Sequence, residues 1–340
     1  MAPRKTLIGL AGAASAAALA VATMSSSAGA APDAQSMAQL QHTAIAQAKT
    51  VSANIGTDSG GVWLDHGKAV VNVTNAADAQ AVTAAGLTPK TVKYSFATLT
   101  AAKNSLDGVK NVPQTAWGID TRTDQVVVSI YDSASSATKA KVKTAATKLG
   151  DKARIEYKTG KLELYIADGD AIQNDQGRCS LGFNVTRGGE PFLLTAGHCT
   201  NLGGTWAGGD VSGAEVVESD CPGADSGLLT RPNGTGPGQI NTGQAITSAG
   251  EPTVGEQMEK QGSTTGGGSG EITSVAQSVN FDVGVLNHEF GTTAHTDHGD
   301  SGGPAYDGSA GLGTLSGGDT VTSYFYPLTL ELSSYGLSLA

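Results

Sequence analysis

The chain has 340 residues and a net charge of −10, which leaves room for two domains behind a targeting segment. The charge is divided: residues 31–165 carry +4 and residues 166–340 carry −16. An acidic half of this size excludes nucleic acid as an expected partner, and the opposition of sign favours docking of the first half onto the second.

In chain order, Arg4 and Lys5 form a basic start, Leu7 to Ala22 is largely apolar, and Ala28-Gly29-Ala30 supplies small residues. This is the pattern of a signal peptide cut between Ala30 and Ala31, and without an Arg-Arg pair it reads as a general secretory one. The expectation is an extracellular protein with no membrane role once the signal is removed. A helix is predicted from about Ala34 to Lys49.

Residues 31–165 then contain an imperfect duplication. Val62 to Asp65 and Ala69 to Val73 form one hairpin, and Ala116 to Asp120 and Gln125 to Ile130 form another. Each is followed by a helix. Ala76 to Ala85 has Asn75 as N-cap, Ala134 to Leu149 has Asp132 or Ser133, and Gly86 and Gly150 stop them. Return strands are predicted at Thr91 to Tyr94 and Arg154 to Tyr157. His66 is a lone turn histidine, and these α+β units hold no cluster of catalytic residue types.

From Ile166 onward, short apolar runs are cut by Gly, Ser, Thr and Asn. Phe192 to Leu194, Glu215 to Val217, Gly227 to Leu229, Ile272 to Val275 and Phe325 to Leu328 read as closely spaced strands of a sandwich or barrel. One helix is predicted at Leu328 to Tyr335.

The chemistry concentrates in two stretches of that half. Gly299-Asp300-Ser301-Gly302-Gly303-Pro304 presents a serine in a glycine-cleared turn, with the amides of Gly299 and Ser301 free to point at a developing oxyanion. Thr195-Ala196-Gly197-His198-Cys199 supplies the base such a serine needs near neutral pH. The serine motif alone would also suit an α/β-hydrolase, where order runs Ser, acid, His. No histidine follows Ser301, and His198 precedes it. A carboxylate must hold the imidazole, and Asp210, Asp220 and Asp225 all follow His198.

Together with Gly177-Arg178-Cys179-Ser180-Leu181-Gly182-Phe183-Asn184-Val185 and Gly262-Ser263-Thr264-Thr265-Gly266, these motifs resemble the chymotrypsin-like serine proteases. The similarity is to the secreted bacterial streptogrisin and α-lytic branch, and it runs from Ile166 to Ala340. The resemblance implies a mainly β fold of two antiparallel six-stranded barrels with the site between them, preceded by an α+β pro-region. It implies a self-processing serine endopeptidase acting through His198, Asp225 and Ser301 and an acyl-enzyme. Asp225 is preferred to Asp220 because Asp225-Ser226-Gly227-Leu228-Leu229 matches the family's Asp-x-Gly-aliphatic run.

The same resemblance implies a Cys179–Cys199 disulfide bracing His198, which leaves Cys221 unpaired; where the bacterial branch usually sets an arginine against the carboxylate of Asp300, the matching segment here has Lys260, a candidate cation whose other reading is a surface lysine. It further implies a substrate strand at Leu315, Ser316, Gly317 and Gly318, with Ser316 supporting the triad acid, and maturation between Tyr165 and Ile166. Residues 31–165 are then a folding helper and inhibitor, and peptides and this pro-region are the expected partners of a monomer. Tyr165 and Leu315 suggest a preference for large apolar or aromatic residues before the cut bond. Glutamate specificity through His295 or His298 is the alternative, and a catalytically dead binding homologue is the rival from another class. His295-Thr296-Asp297-His298 could be read as a metal half-site, but three protein ligands are the norm for catalytic zinc. No metal and no cofactor are expected.

Overall fold

The computed structural model describes residues 34–164, 170–209 and 211–340. The expected signal segment with its Ala30–Ala31 cleavage point, the Tyr165–Ile166 junction and Asp210 lie outside the described residues.

Helix α1 (Ala34–Ile55) runs a turn and a half beyond its predicted end and lays Ile45 and Ala48 onto the hairpin of β1 (Ser59–Asp65) and β2 (Lys68–Val73). His66 and Gly67, both at positive φ, close that hairpin in two residues, a turn whose twist suits the flanking strands. Asn75 caps α2 (Ala76–Ala84) by accepting from Asp78 N at 2.9 Å. β3 (Thr88–Thr91) then returns parallel to β2. It lies just before the predicted Thr91 to Tyr94, because the amides of Lys93 and Tyr94 are taken by the Asp124 carboxylate at 2.9 and 3.0 Å and cannot join a ladder.

The duplication does not predict α3 (Phe96–Asp107), which Ser95 caps and which buries Leu99, Ala102 and Leu106. The second copy repeats the order of the first: β4 (Thr115–Asp120) and β5 (Gln125–Tyr131) form a hairpin, α4 (Ser136–Thr147) crosses over, and β6 (Ala153–Lys158) lies parallel to β5. Ser135 caps α4. The predicted caps are engaged elsewhere, Asp132 accepting from Gly160 N and Ser133 donating to Gln114 Oε1. A two-residue strand, β7 (Glu163–Leu164), ends this part.

Two antiparallel systems make up the rest. The first takes in β8 (Ala171–Gln173), β9 (Arg178–Ser180), β10 (Phe183–Arg187), β11 (Glu190–Thr195), β12 (Thr205–Gly208), β13 (Val211–Asp220) and β14 (Ser226–Thr230). The short helix α5 (Gly197–Thr200) sits between β11 and β12. Trp206, Leu193 and Leu229 pack there around Cys179 and Cys199.

The second system follows the two-residue β15 (Ser248–Ala249) and comprises β16 (Gln257–Gly262), β17 (Gly266–Phe281), β18 (Gly284–Thr292), β19 (Pro304–Asp307), β20 (Ala310–Gly318) and β21 (Ser323–Pro327). Its order β16-β19-β20-β21-β18-β17 returns to β16 through a further β16–β17 pairing, so six antiparallel strands close into a barrel. Phe290 and Phe325 stack at 5.4 Å in its core beside Ile272 and Leu315. Helix α6 (Leu328–Tyr335) lies where it is predicted and ends at left-handed Gly336. β22 (Ser338–Leu339) then pairs with β10, tying the end of the chain to the first system.

The long strand β17 also pairs with β4, Ser278 opposite Trp117 and Val279 opposite Ala116, so β4, β5 and β6 continue the barrel sheet outward. Cations of the first half meet acceptors of the second at Arg122–Glu271 (2.7 Å), Lys161–Asp282 (3.6 Å) and Lys49 Nζ to Glu251 O (3.1 Å). This is the sense the charge division predicts. Such half-exposed pairs each contribute little, about 0.2–1 kcal/mol.

Candidate active site

The expected catalytic residues come from different systems and meet between them. His198 rides on α5 directly after β11, Asp225 immediately precedes β14, and Ser301 lies in the turn before β19. His198 Nδ1 donates to Asp225 Oδ2 at 2.8 Å, which leaves Nε2 as the acceptor 2.9 Å from Ser301 Oγ. The same carboxylate accepts from the backbone of its partner, His198 N to Asp225 Oδ1 at 2.7 Å. Gly197 makes this approach possible, since a Cβ there would stand 2.4 Å from Asp220 O. Asp225 is 0% exposed, whereas Asp220 is exposed at the end of β13.

The serine turn is held from both sides. Ser180 Oγ donates to Gly299 O (2.8 Å), Ser180 N to Ser301 O (2.7 Å) and Gly302 N to Leu315 O (2.7 Å). Gly302 has φ 80°, and a Cβ on it would lie 2.2 Å from Thr195 Oγ1. Asp300 N donates to Asp297 O and Gly303 N to Asp300 O. The amides of Gly299 and Ser301 make neither of these internal bonds.

Asp300 is buried and accepts from Thr264 N (2.8 Å), Thr265 N (3.1 Å), Thr265 Oγ1 (2.5 Å) and Asp297 N (3.1 Å). Lys260 Nζ stands 3.4 Å from it, also buried, and bonds Gly266 O at 2.9 Å. Burial lowers the lysine's proton affinity and Asp300 opposes that. The cation expected for Asp300 is therefore in place, with four donors around the carboxylate to support the pair.

Cys179 and Cys199 are joined by a disulfide, and Cys221 is a free thiol. Burial first, then Asp225, push that thiol well above its ordinary value, so it is a poor nucleophile. His295 and His298 are exposed, and neither belongs to a group with metal-ligating geometry among the described residues.

Leu315, Ser316, Gly317 and Gly318 are all buried at the end of β20. There β7 adds itself as an antiparallel strand, Leu164 opposite Gly317 and Glu163 opposite Gly318. The edge expected to receive substrate backbone thus carries this chain's own segment, in a strand-addition mode. Ser316 departs from its expected partner, since its hydroxyl donates to Glu289 Oε1 at 3.2 Å. Sequence reasoning misses Glu289, a buried residue of β18, and Glu331 of α6, whose Oε1 accepts from Ser226 Oγ and Thr314 Oγ1 at 3.0 Å each. Burial raises the proton affinity of both, and Asp225 adds to the effect.

Residues 31–92 match the family described as alpha-lytic protease pro N-terminal, and residues 94–150 the alpha-lytic protease prodomain. Streptogrisin-D of Streptomyces griseus is 36% identical over 308 residues, covering 86% of this chain and 78% of its own length. Serine protease 1 of Streptomyces fradiae is 36% identical over 304 residues, 85% of each. Glutamyl endopeptidase 2 of Streptomyces griseus is 37% identical over 187 residues, 51% of this chain and 99% of its own. A solved glutamic acid specific serine protease, described as using a histidine triad in substrate binding, is 34% identical, covers 51% of this chain and 99% of its own, and has a TM-score of 0.47.

Proposed function

Because the chain belongs to the streptogrisin and α-lytic family of chymotrypsin-like serine proteases, and is a serine endopeptidase made with a pro-region, we propose that His198, Asp225 and Ser301 are its triad. The observation that carries this is the continuous hydrogen-bonded line from Asp225 through His198 to Ser301, at 2.8 and 2.9 Å. Ser301 Oγ attacks the peptide carbonyl as His198 Nε2 takes its proton, and Asp225 holds the tautomer and stabilises the imidazolium. The amides of Gly299 and Ser301 bind the oxyanion. His198 returns the proton to the leaving amine, and water then opens the acyl-enzyme by the same route.

The precursor is exported, cuts itself between Tyr165 and Ile166, and prefers a large apolar or aromatic residue before the cut bond. Strand pairing supports the junction: Glu163 and Leu164 occupy Gly318 and Gly317 in order, and Tyr165 is the next residue in sequence. Buried, apolar Leu315 supports the preference, since a pocket without a fixed cation discriminates by apolar fit, worth about 1–3 kcal/mol per methylene-scale difference. Similarity to a glutamyl endopeptidase favours the second reading, cleavage after glutamate.

N-terminal sequencing of the secreted enzyme, paired with turnover of matched Phe, Tyr, Leu and Glu peptides, separates the two. A chain starting at Leu164 with preferred cleavage after Glu would replace the first reading by the second. Ser301→Ala should abolish labelling by a sulfonyl fluoride and reduce hydrolysis to a small residue, and Asp225→Asn should lower turnover about 10⁴-fold. Retained activity in Asp225→Asn, with its loss in Asp220→Asn, would move the acid assignment.

A further inference from the structure

Glu289 is 0% exposed, and the chemistry above makes no use of it. Two bulges put it where it is. Gln277 and Ser278 are neighbours on β17 but face Glu289 and Asn287 on β18, so His288 is an extra residue, at φ 68°. That left-handed conformation is one histidine adopts more readily than most side chains, and a bulge re-aims the residues beside it. On β20 the pairing with β21 likewise skips Ser316 between Leu315 and Gly317. The two irregularities bring Ser316 Oγ and Glu289 Oε1 to 3.2 Å, while Glu289 Oε2 is buried with no hydrogen-bond partner.

Among the described residues, the charged groups that bear most on Glu289 are acidic. Asp225 before β14 and Glu331 on α6 both raise its proton affinity beyond what burial does. A charge on Glu289 would in turn raise the proton affinity of the Cys221 thiol and of Tyr324 and Tyr326 on β21. Ser316 is the neutral donor from β20. We infer that Glu289 is a positioning residue of this active site, a neutral carboxylic acid that holds the Ser316 hydroxyl beside the substrate strand and keeps a second negative charge away from Asp225.

This rests on the triad reading. An ionised carboxylate next to Asp225 would stabilise the His198 imidazolium, leaving less of the histidine free to take the Ser301 proton at neutral pH. The neutral acid accepts the serine hydrogen bond without that effect.

The test uses matured enzyme from full precursors carrying Glu289→Leu and Glu289→Gln, with active sites counted by sulfonyl fluoride titration. Leucine removes the acceptor for Ser316, and kcat should fall about tenfold with KM little changed. Glutamine keeps a neutral acceptor and should rescue most of that loss while leaving the acid limb of the kcat/KM profile in place. A downward move of that limb by about one pH unit in Glu289→Gln would mean that the parent residue is ionised, and would overturn the inference. Equal losses in both variants, or parent-like kcat in both, would also overturn it. Should Glu289→Leu not mature, the pH profile of Glu289→Gln decides alone. Failure of the triad reading would show separately, as activity retained by Ser301→Ala or Asp225→Asn.

Discussion

The two halves of this chain build their sheets in opposite ways. In the pro-region each third strand returns over its own helix, Val70 pairing with Thr88 and Val126 with Ala153. In the catalytic half the hairpins are closed into sheets by distant pairings, Glu259 with Tyr306 and Val185 with Leu339, and strands supply most of its cores. Local contacts form quickly and distant antiparallel ones slowly. The first half is therefore suited to fold early and to offer β4 as a ready edge for β17.

Separating the halves is the strongest way to break this comparison. Refolding residues 166–340 alone should give little active enzyme, and adding residues 31–165 in trans should raise the yield by orders of magnitude; equal yields would show that the distant pairings form unaided. A substitution confined to each half sharpens it. Lys260→Met strands Asp300 beside the serine turn and should cost the catalytic half about 3–5 kcal/mol, read as a lowered denaturation midpoint of the matured enzyme. Leu106→Ala removes a fully buried side chain from the pro-region core and should cost about 2–5 kcal/mol there. It should lower the yield of maturation and leave kcat/KM of the matured enzyme as it was, and a changed kcat/KM would blur the division.

The smallest effect concerns the seam. Burial, then Asp307, push Glu256 up to about 8, and burial pushes Asp307 to about 6 against the pull of His42 on α1. Both lie above the ordinary carboxylate value of about 4. Their neutral forms are favoured in the folded precursor, so the stability they contribute is present at low pH and is lost as pH rises from about 4 through about 8. Unfolding of the Ser301→Ala precursor should become easier over that range, and more steeply than in the same precursor carrying Glu256→Gln. Parallel slopes would remove Glu256 from the account.

What was legible in the sequence follows the range of each signal. Ser301, His198 and the α6 boundary are written locally, in a glycine turn, a five-residue motif and a closing Gly336. The helix Phe96–Asp107 carries its own signs too, Ser95 as cap and Leu99, Ala102 and Leu106 on one face, but the duplicated hairpins do not require it. Glu289 is different. Strand alternation around an exposed His288 gives no warning of the bulge that turns the glutamate inward, and its partner Ser316 is brought up by a second bulge on another strand. The pairing of Leu164 with Gly317 is hidden for the same reason, since no local pattern states which distant edge a two-residue strand will join.

If the pro-region inhibits as proposed, that short pairing would govern how the inhibition depends on concentration. While β7 remains joined to the chain that bears Gly317 and Gly318, it meets the cleft at a fixed effective concentration that dilution of the precursor does not change. Cleavage after Tyr165 would end the tether, and the released segment would compete as an ordinary second molecule whose hold weakens in step with dilution. Export into a large volume would then itself switch the enzyme on.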